Sequence, residues 1–271
     1  MEWYRAAPVP ANLQERFYGE GFDYESGSPH LRHAALRRRI VQRIEAAVVE
    51  TFARHGRCRV LEVGAGHGSF TAVLAALGAH VTVSEMSGPS VRRLEKRFHH
   101  NSNVEVVFDP TGDGIVTGGL TVDMAVCVSV LHHIPDYLGF LSSAAGIVAP
   151  GGIVVTYQDP LWYPRRRRRD MAIDRGCYYL WRLRQGDLRR GVGTRLRRLR
   201  GLYDESRPED MTEYHAVRDG VDELAVVGLL GSVFRDVTLH RYWSTNGPLL
   251  QRLGGAVAAP NTFGVEARDR R

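Results

Sequence analysis

The chain is read outward from Val60-Leu-Glu-Val-Gly-Ala-Gly-His-Gly-Ser-Phe-Thr71. Val60, Leu61 and Val63 make a short apolar run of the kind a buried strand shows. Gly64, Gly66 and Gly68 follow at once. Phe70, Val73, Leu74 and Leu77 then recur at helical spacing. The pattern predicts a strand, a tight glycine turn and a helix N-terminus. Glycine tolerates left-handed backbone and lets a ligand approach without a Cβ in the way. A helix N-terminus adds free N–H groups and a positive dipole end, which suits a carboxylate or hydroxyl.

Two familiar phosphate-binding loops do not fit. A dinucleotide fingerprint needs Gly-x-Gly-x-x-Gly, and Ser69 stands where its third glycine belongs. A P-loop needs Gly-Lys-Ser/Thr, which is absent. On these residues alone a ligand-free glycine turn stays open, so the downstream segments decide.

His80-Val-Thr-Val-Ser84 alternates as a second strand and ends at Glu85, 21 residues after Gly64. A carboxylate at the end of the second strand of such a unit accepts both ribose hydroxyls. Val104-Glu-Val-Val-Phe108 reads as a third strand and ends at Asp109. Pro110 and Thr111-Gly-Asp-Gly114 come next, so Asp109 also fits a plain turn residue. Asp123-Met-Ala-Val-Cys-Val-Ser129 leads into Val130-Leu-His-His-Ile-Pro135, and Pro150-Gly-Gly-Ile-Val-Val-Thr-Tyr-Gln-Asp159 supplies a turn and a fifth strand.

Taken in order, these segments resemble the class I S-adenosylmethionine-dependent methyltransferases across roughly residues 36–160. Glu62-x-Gly64-x-Gly66-x-Gly68 is similar to their motif I, and Leu131-His-His-Ile134 resembles a segment of the small-molecule branch. The resemblance implies a Rossmann-like α/β fold with a seven-stranded, mostly parallel sheet, an antiparallel last strand and helices on both faces. It implies S-adenosyl-L-methionine as cofactor, lined by Glu62, Gly64, Ala65, Gly66, Gly68 and Ser129. Glu85 would then hold the ribose, Met86 would lie near the adenine, and Asp109 would meet the adenine amino group.

Methyl transfer from a sulfonium is an in-line displacement that needs alignment and exclusion of water. An acceptor hydroxyl also gains from a base, and histidine is the natural one near neutral pH. His133 and His132 follow strand four at the sheet edge where open α/β folds bind ligands, with Asp159 at the neighbouring strand end. These three are the candidate catalytic residues. His67 in the glycine loop reads as a loop-shaping residue, and His99-His100 as a solvated helix end. No histidine, cysteine or carboxylate cluster has metal-ligand spacing.

Composition agrees with a soluble, cytoplasmic enzyme. Hydrophobic residues make up 44% and charged residues 24% of the 271, as in ordinary globular proteins. No apolar run reaches membrane-spanning length, and Met1-Glu-Trp-Tyr-Arg5 does not read as a signal peptide. Cys58, Cys127 and Cys177 are scattered, which argues against a disulfide framework. The net charge of +6 is uneven. Residues 161–200 carry 14 arginines against Asp170, Asp174 and Asp187.

The chain then divides into an aromatic, loop-rich segment at 1–35, a core at 36–160, a basic helical insertion at 161–212 and the rest of the core at 213–271. The first segment is expected to act as a lid, with Tyr18 or Tyr24 touching cofactor or acceptor. Leu36, Ile40, Ile44, Val48 and Phe52 predict a helix ahead of strand one. Leu188, Val192, Leu196, Leu199 and Tyr203 predict a basic amphipathic helix inside the insertion. That helix suits solvated packing, an anionic or lipid-linked small-molecule acceptor, or a peripheral membrane contact. Val221–Phe234, Arg235–Trp243, Gly247–Ala258 and Thr262–Ala267 are expected as helix, strand, helix and strand. Three functions compete: a methyltransferase acting on oxygen of a small secondary-metabolite, quinone-like or sugar acceptor; an RNA methyltransferase using the arginines; and a non-catalytic S-adenosylmethionine-binding subunit. Nothing resembles an Asn-Pro-Pro-Tyr motif or an RNA-binding module, which disfavours nucleic acid.

Overall fold

A computed structural model describes residues 27–112, 114–185 and 219–271. The elements, in order, are α1 (Pro29–Arg32), α2 (Ala34–His55), β1 (Arg59–Val63), α3 (Ser69–Ala76), β2 (His80–Glu85), α4 (Gly88–Phe98), β3 (Val104–Phe108), α5 (Gly114–Thr117) and β4 (Val122–Val128). A 3-10 turn at Leu131–His133 leads to α6 (Tyr137–Ile147) and β5 (Val148–Pro160). Another, at Tyr163–Arg165, leads to α7 (Arg168–Gln185); then come α8 (Glu223–Val233), β6 (Phe234–Tyr242), α9 (Pro248–Val257) and β7 (Thr262–Arg270).

The strands form one seven-stranded sheet in the order β3-β2-β1-β4-β5-β7-β6. β1 to β5 run parallel, and β7 lies antiparallel between β5 and β6. The antiparallel last strand expected from the resemblance is present.

Alternation along the strands builds a core on each face. Val60, Val81, Val83, Met124, Val126, Ile153 and Val155 point one way, onto Ile40 and Ile44 of α2, Leu74 of α3 and Leu94 of α4. Leu61, Val63, Ala125, Cys127, Val154 and Val265 point the other way, onto Phe140 and Leu141 of α6 and Leu230 of α8. Strands buried on both faces read as continuous apolar runs, which is why β1 and β4 look so uniform in sequence. Burying each large aliphatic side chain contributes about 1.5–3 kcal/mol.

Caps fix the helix ends. Gly56 closes α2 in left-handed backbone at φ 68°. Asp136 starts α6 by accepting the Gly139 N–H, and Asp222 starts α8 by accepting those of Leu224 and Ala225. At the N-terminal edge of the sheet, fully buried Asp123 accepts from the Arg59 backbone N, Nε and Nη2 at 2.9–3.1 Å, tying β4 to β1. This pair serves the fold, on the edge opposite the site.

One segment differs from expectation. Pro150-Gly-Gly152, read as the turn ahead of the fifth strand, lies within β5. Val148 already pairs with Val122, and pairing resumes at Ile153 opposite Met124. The extra residues bulge from the ladder, and Gly151 supplies left-handed backbone at φ 77°. In the insertion, α7 covers Arg168–Gln185, whereas the helix expected from Leu188 to Tyr203 lies outside the described residues, as do Tyr18 and Tyr24. Among the described residues, no helix is long and apolar enough to cross a membrane.

Candidate active site

The glycine loop leaves β1 at the C-terminal edge of the sheet. Gly64, Gly66 and Gly68 sit at φ 66°, 55° and 77°, so each residue uses the region that glycine alone enters freely. A Cβ on Gly64 would lie 2.7 Å from Val130 Cγ2, and one on Gly68 2.6 Å from Phe98. The loop therefore packs tightly beneath and stays free of side chains at these three positions. α3 begins at Ser69, with no side chain capping its N-terminus.

Glu85 clamps this loop to the end of β2. Its Oε2 accepts the Gly66 N–H at 2.9 Å, and its Oε1 accepts those of Met86 and Ser87 at 3.0 and 3.1 Å. Burial raises its pKa against the pull of those donors. Glu62 lies deeper, 3% exposed, and accepts the Thr71 hydroxyl at 2.6 Å. Burial pushes its pKa up to about 7, with the Thr71 bond opposing and the Glu85 charge adding to the rise. Asp109 closes the next strand end. Its oxygens accept from Thr111 Oγ1 and from the backbone of Gly112, Gly114 and Ile115 at 3.0–3.3 Å, with Ser84 Oγ at 3.4 Å. The turn role open in the sequence is thus filled by this carboxylate.

The histidine pair separates into two roles. The His132 backbone N–H meets Asp159 Oδ1 at 3.2 Å, and its ring Nδ1 lies 2.8 Å from the same oxygen. Asp159 is fully buried, and burial raises its pKa while His132 lowers it. A carboxylate accepting from Nδ1–H leaves Nε2 as the basic nitrogen. The His133 ring lies 4.1 Å from that of His132, tilted by 45°. The two strand ends carry strain. Ser129 and Gln158 are non-glycine residues at φ 62° and 70°, and Ser129 N–H bonds the Tyr157 carbonyl at 2.7 Å. Such outliers persist where surrounding structure over-determines them, typically at functional sites.

His30 was not foreseen. α1 lays its ring against Phe70, 6.0 Å between centroids and nearly parallel. It is buried, its Nδ1 has no hydrogen-bond partner, and burial with the nearby His132 pushes its pKa down to about 3. His30 therefore packs α1 against the start of α3. His33 Nε2 lies 2.8 Å from the Thr245 carbonyl, carrying the same segment across to the end of β6. Only its neighbour Pro29 hinted at a fixed structure there; a lone histidine in a loop-rich segment has no periodicity to betray its burial.

The residues present fit a nucleoside donor. The glycine turn is held open by backbone geometry, a carboxylate stands at the end of β2, and Ser87 Oγ beside it is buried without a partner.

This strand order, glycine turn and acidic second strand define the class I methyltransferase fold. The methyltransferase-domain family model matches residues 30–190, and the chain belongs to that family, whose methyl donor is S-adenosyl-L-methionine. A ubiquinone biosynthesis O-methyltransferase of Aromatoleum aromaticum is 32% identical over 105 residues, which cover 35% of this chain and 42% of that one. The chain thus spans less than half the length of that relative. The N-terminal domain of EvdMO1 with S-adenosylhomocysteine bound superposes with a TM-score of 0.52 at 18% identity, covering 96% of this chain and 94% of that one. The N-methyltransferase NodS from Bradyrhizobium japonicum WM9 gives 0.52 at 15% identity, over 98% and 100%. At these identities the likeness is one of fold.

Proposed function

We propose that the chain transfers a methyl group from S-adenosyl-L-methionine to an oxygen of a small-molecule acceptor of secondary-metabolite, quinone-like or sugar type. The His132–Asp159 pair carries this reading: a buried carboxylate orients an imidazole at the sheet edge beside the glycine turn. The partial relation to an O-methyltransferase of quinone biosynthesis supports oxygen as the acceptor atom.

In this reading Glu62, Gly64, Ala65, Gly66, Gly68 and Ser129 line the donor, with Glu85 toward the ribose and Met86 and Asp109 toward the adenine. The donor, when bound, supplies an electrophilic methyl on a sulfonium sulfur. Asp159 holds the His132 ring by Nδ1–H, so that Nε2 faces the acceptor and takes its hydroxyl proton. The buried charge of Asp159 stabilises the imidazolium that forms, and a positioned base of this kind contributes about 10²–10⁴ in rate. His30, held neutral by burial, adds no competing positive charge beside His132. Residues 29–35 roof the edge as part of a lid, and α7 begins an acceptor-side extension.

Incubation with methyl-labelled S-adenosylmethionine and fractionated cell extract tests this reading. The expected label appears in small molecules, in an ether-type linkage stable to mild base. Label confined to RNA would move the reading to nucleic acid. Binding of S-adenosylhomocysteine with no label in any fraction would move it to a non-catalytic subunit.

A further inference from the structure

The arginines after β5 do not form one evenly solvated face. Arg165 is spoken for by Asp222 and Glu223, while Arg167 and Arg168 are exposed. Arg166 differs from both. Its side chain is only 6% exposed, and Nη1 donates to Asp174 Oδ2 at 2.8 Å. Its Nε and Nη2 are buried with no hydrogen-bond partner. These two nitrogens share one edge of the guanidinium, the fork that meets both oxygens of a carboxylate or phosphate at once. Buried donors are almost always satisfied, so a whole unsatisfied edge points to a ligand that completes it.

The group is built in. Asp174 Oδ1 accepts from Asn261 Nδ2 at 2.9 Å, and Asn261 Nδ2 also reaches the Ser244 carbonyl at 2.8 Å. Gln158 Nε2 donates to Ser244 Oγ at 2.7 Å, and Gln158 directly precedes Asp159. A continuous hydrogen-bonded web therefore runs from the Arg166 fork to the residue beside the catalytic pair. The Tyr163 ring lies 5.9 Å from the guanidinium carbon and closes one side. Asp174 pairs with the opposite edge of the guanidinium through Nη1, and its second oxygen is taken by Asn261, so among the described residues no carboxylate bonds the Nε–Nη2 edge.

We propose that Arg166 anchors an anionic group, a carboxylate or a phosphate, carried by the methyl acceptor. That the anion belongs to the acceptor rests on the methyltransferase reading; the anion site itself does not. An acidic acceptor would be gripped at one end by the guanidinium fork and presented at the other toward His132.

The test follows the Arg166 Nε–H resonance of the full chain by nitrogen-15 NMR, with and without S-adenosylhomocysteine. Inorganic phosphate and benzoate serve as separate probes, with chloride at matched ionic strength as control. The expected result is a saturable shift of this resonance with one probe or both, and the probe that binds tighter tells phosphate from carboxylate. Arg166→Lys, which keeps the charge without the fork, should weaken binding about tenfold. Arg166→Gln should weaken it further, and calorimetry should show unchanged S-adenosylhomocysteine affinity in both. No saturable shift with either probe, or the same shift with chloride, overturns the proposal. Because the wild-type resonance is read directly, poor folding of a variant does not blur the outcome. Failure of S-adenosylhomocysteine to bind the wild type would sink the methyltransferase reading while the anion titration still reports on Arg166.

Discussion

Replacing Glu62 by glutamine isolates the cost of keeping a carboxylate buried beneath the glycine loop. Burial pushes the pKa of this group up to about 7 in the folded chain, from an ordinary carboxylate value of about 4.5. The folded state therefore binds the proton more tightly than the unfolded state. Stability is full below about pH 4.5 and falls as pH rises through the interval up to about 7. At about 1.4 kcal/mol per unit, the loss amounts to about 3 kcal/mol above that interval. Glutamine is neutral at all pH values, and its carbonyl oxygen can still accept the Thr71 hydroxyl. Urea denaturation of both proteins from pH 4.5 to 8 should show equal stability at the acid end. At pH 8 the variant should be about 2–3 kcal/mol more stable. Parallel stability curves across the whole range would refute the reasoning, because they would mean that the Glu62 proton is held no differently in the two states. The gain should carry a functional cost. In the proposed reading Glu62 lines the donor, so if it makes one charge-assisted bond of about 1.5–3 kcal/mol, its loss should weaken S-adenosylhomocysteine binding tenfold or more.

Glu85→Ala leaves the N–H groups of Gly66, Met86 and Ser87 without their acceptor and removes the carboxylate proposed to hold the ribose, so calorimetry should show at least a tenfold loss of S-adenosylhomocysteine affinity; unchanged affinity in a folded variant would contradict the assignment. His132→Ala should lower turnover about 10²–10⁴-fold with donor affinity intact, and His133→Ala should cost far less. Equal losses in the two variants would show that the Asp159 bond does not select the base. Gly64→Ala forces a side chain into left-handed backbone at about 1–2 kcal/mol and against Val130, so thermal melting should fall by several degrees.

What the sequence reveals depends on how far each feature is local. The glycine turn, the period-two strands and the four-residue stripe of α2 follow from neighbours in the chain, and they form the elements expected of them. Asp123 shows the limit: it opens a strand in sequence, but its ionic role depends on Arg59, sixty-four residues away. His132 and His133 are equivalent as letters. Only the 3-10 turn at Leu131–His133, which swings one ring toward Asp159, tells them apart. His30 had no signal because its burial comes from packing on Phe70 of a later helix. The arginine run looked uniform because composition cannot show that Asp222, Glu223 and Asp174 return to meet two of its members. The strand at Thr262–Ala267 is legible in the sequence, whereas the antiparallel direction of β7 between β5 and β6 is expected only from family resemblance.

The most direct test of the account is a crystal structure with S-adenosylhomocysteine. The ribose hydroxyls are expected on the Glu85 carboxylate, the amino-acid end over the Gly64–Gly68 turn, and the sulfur turned toward His132 Nε2. A ligand seated elsewhere, or one whose sulfur faces away from the His132–Asp159 pair, would contradict it.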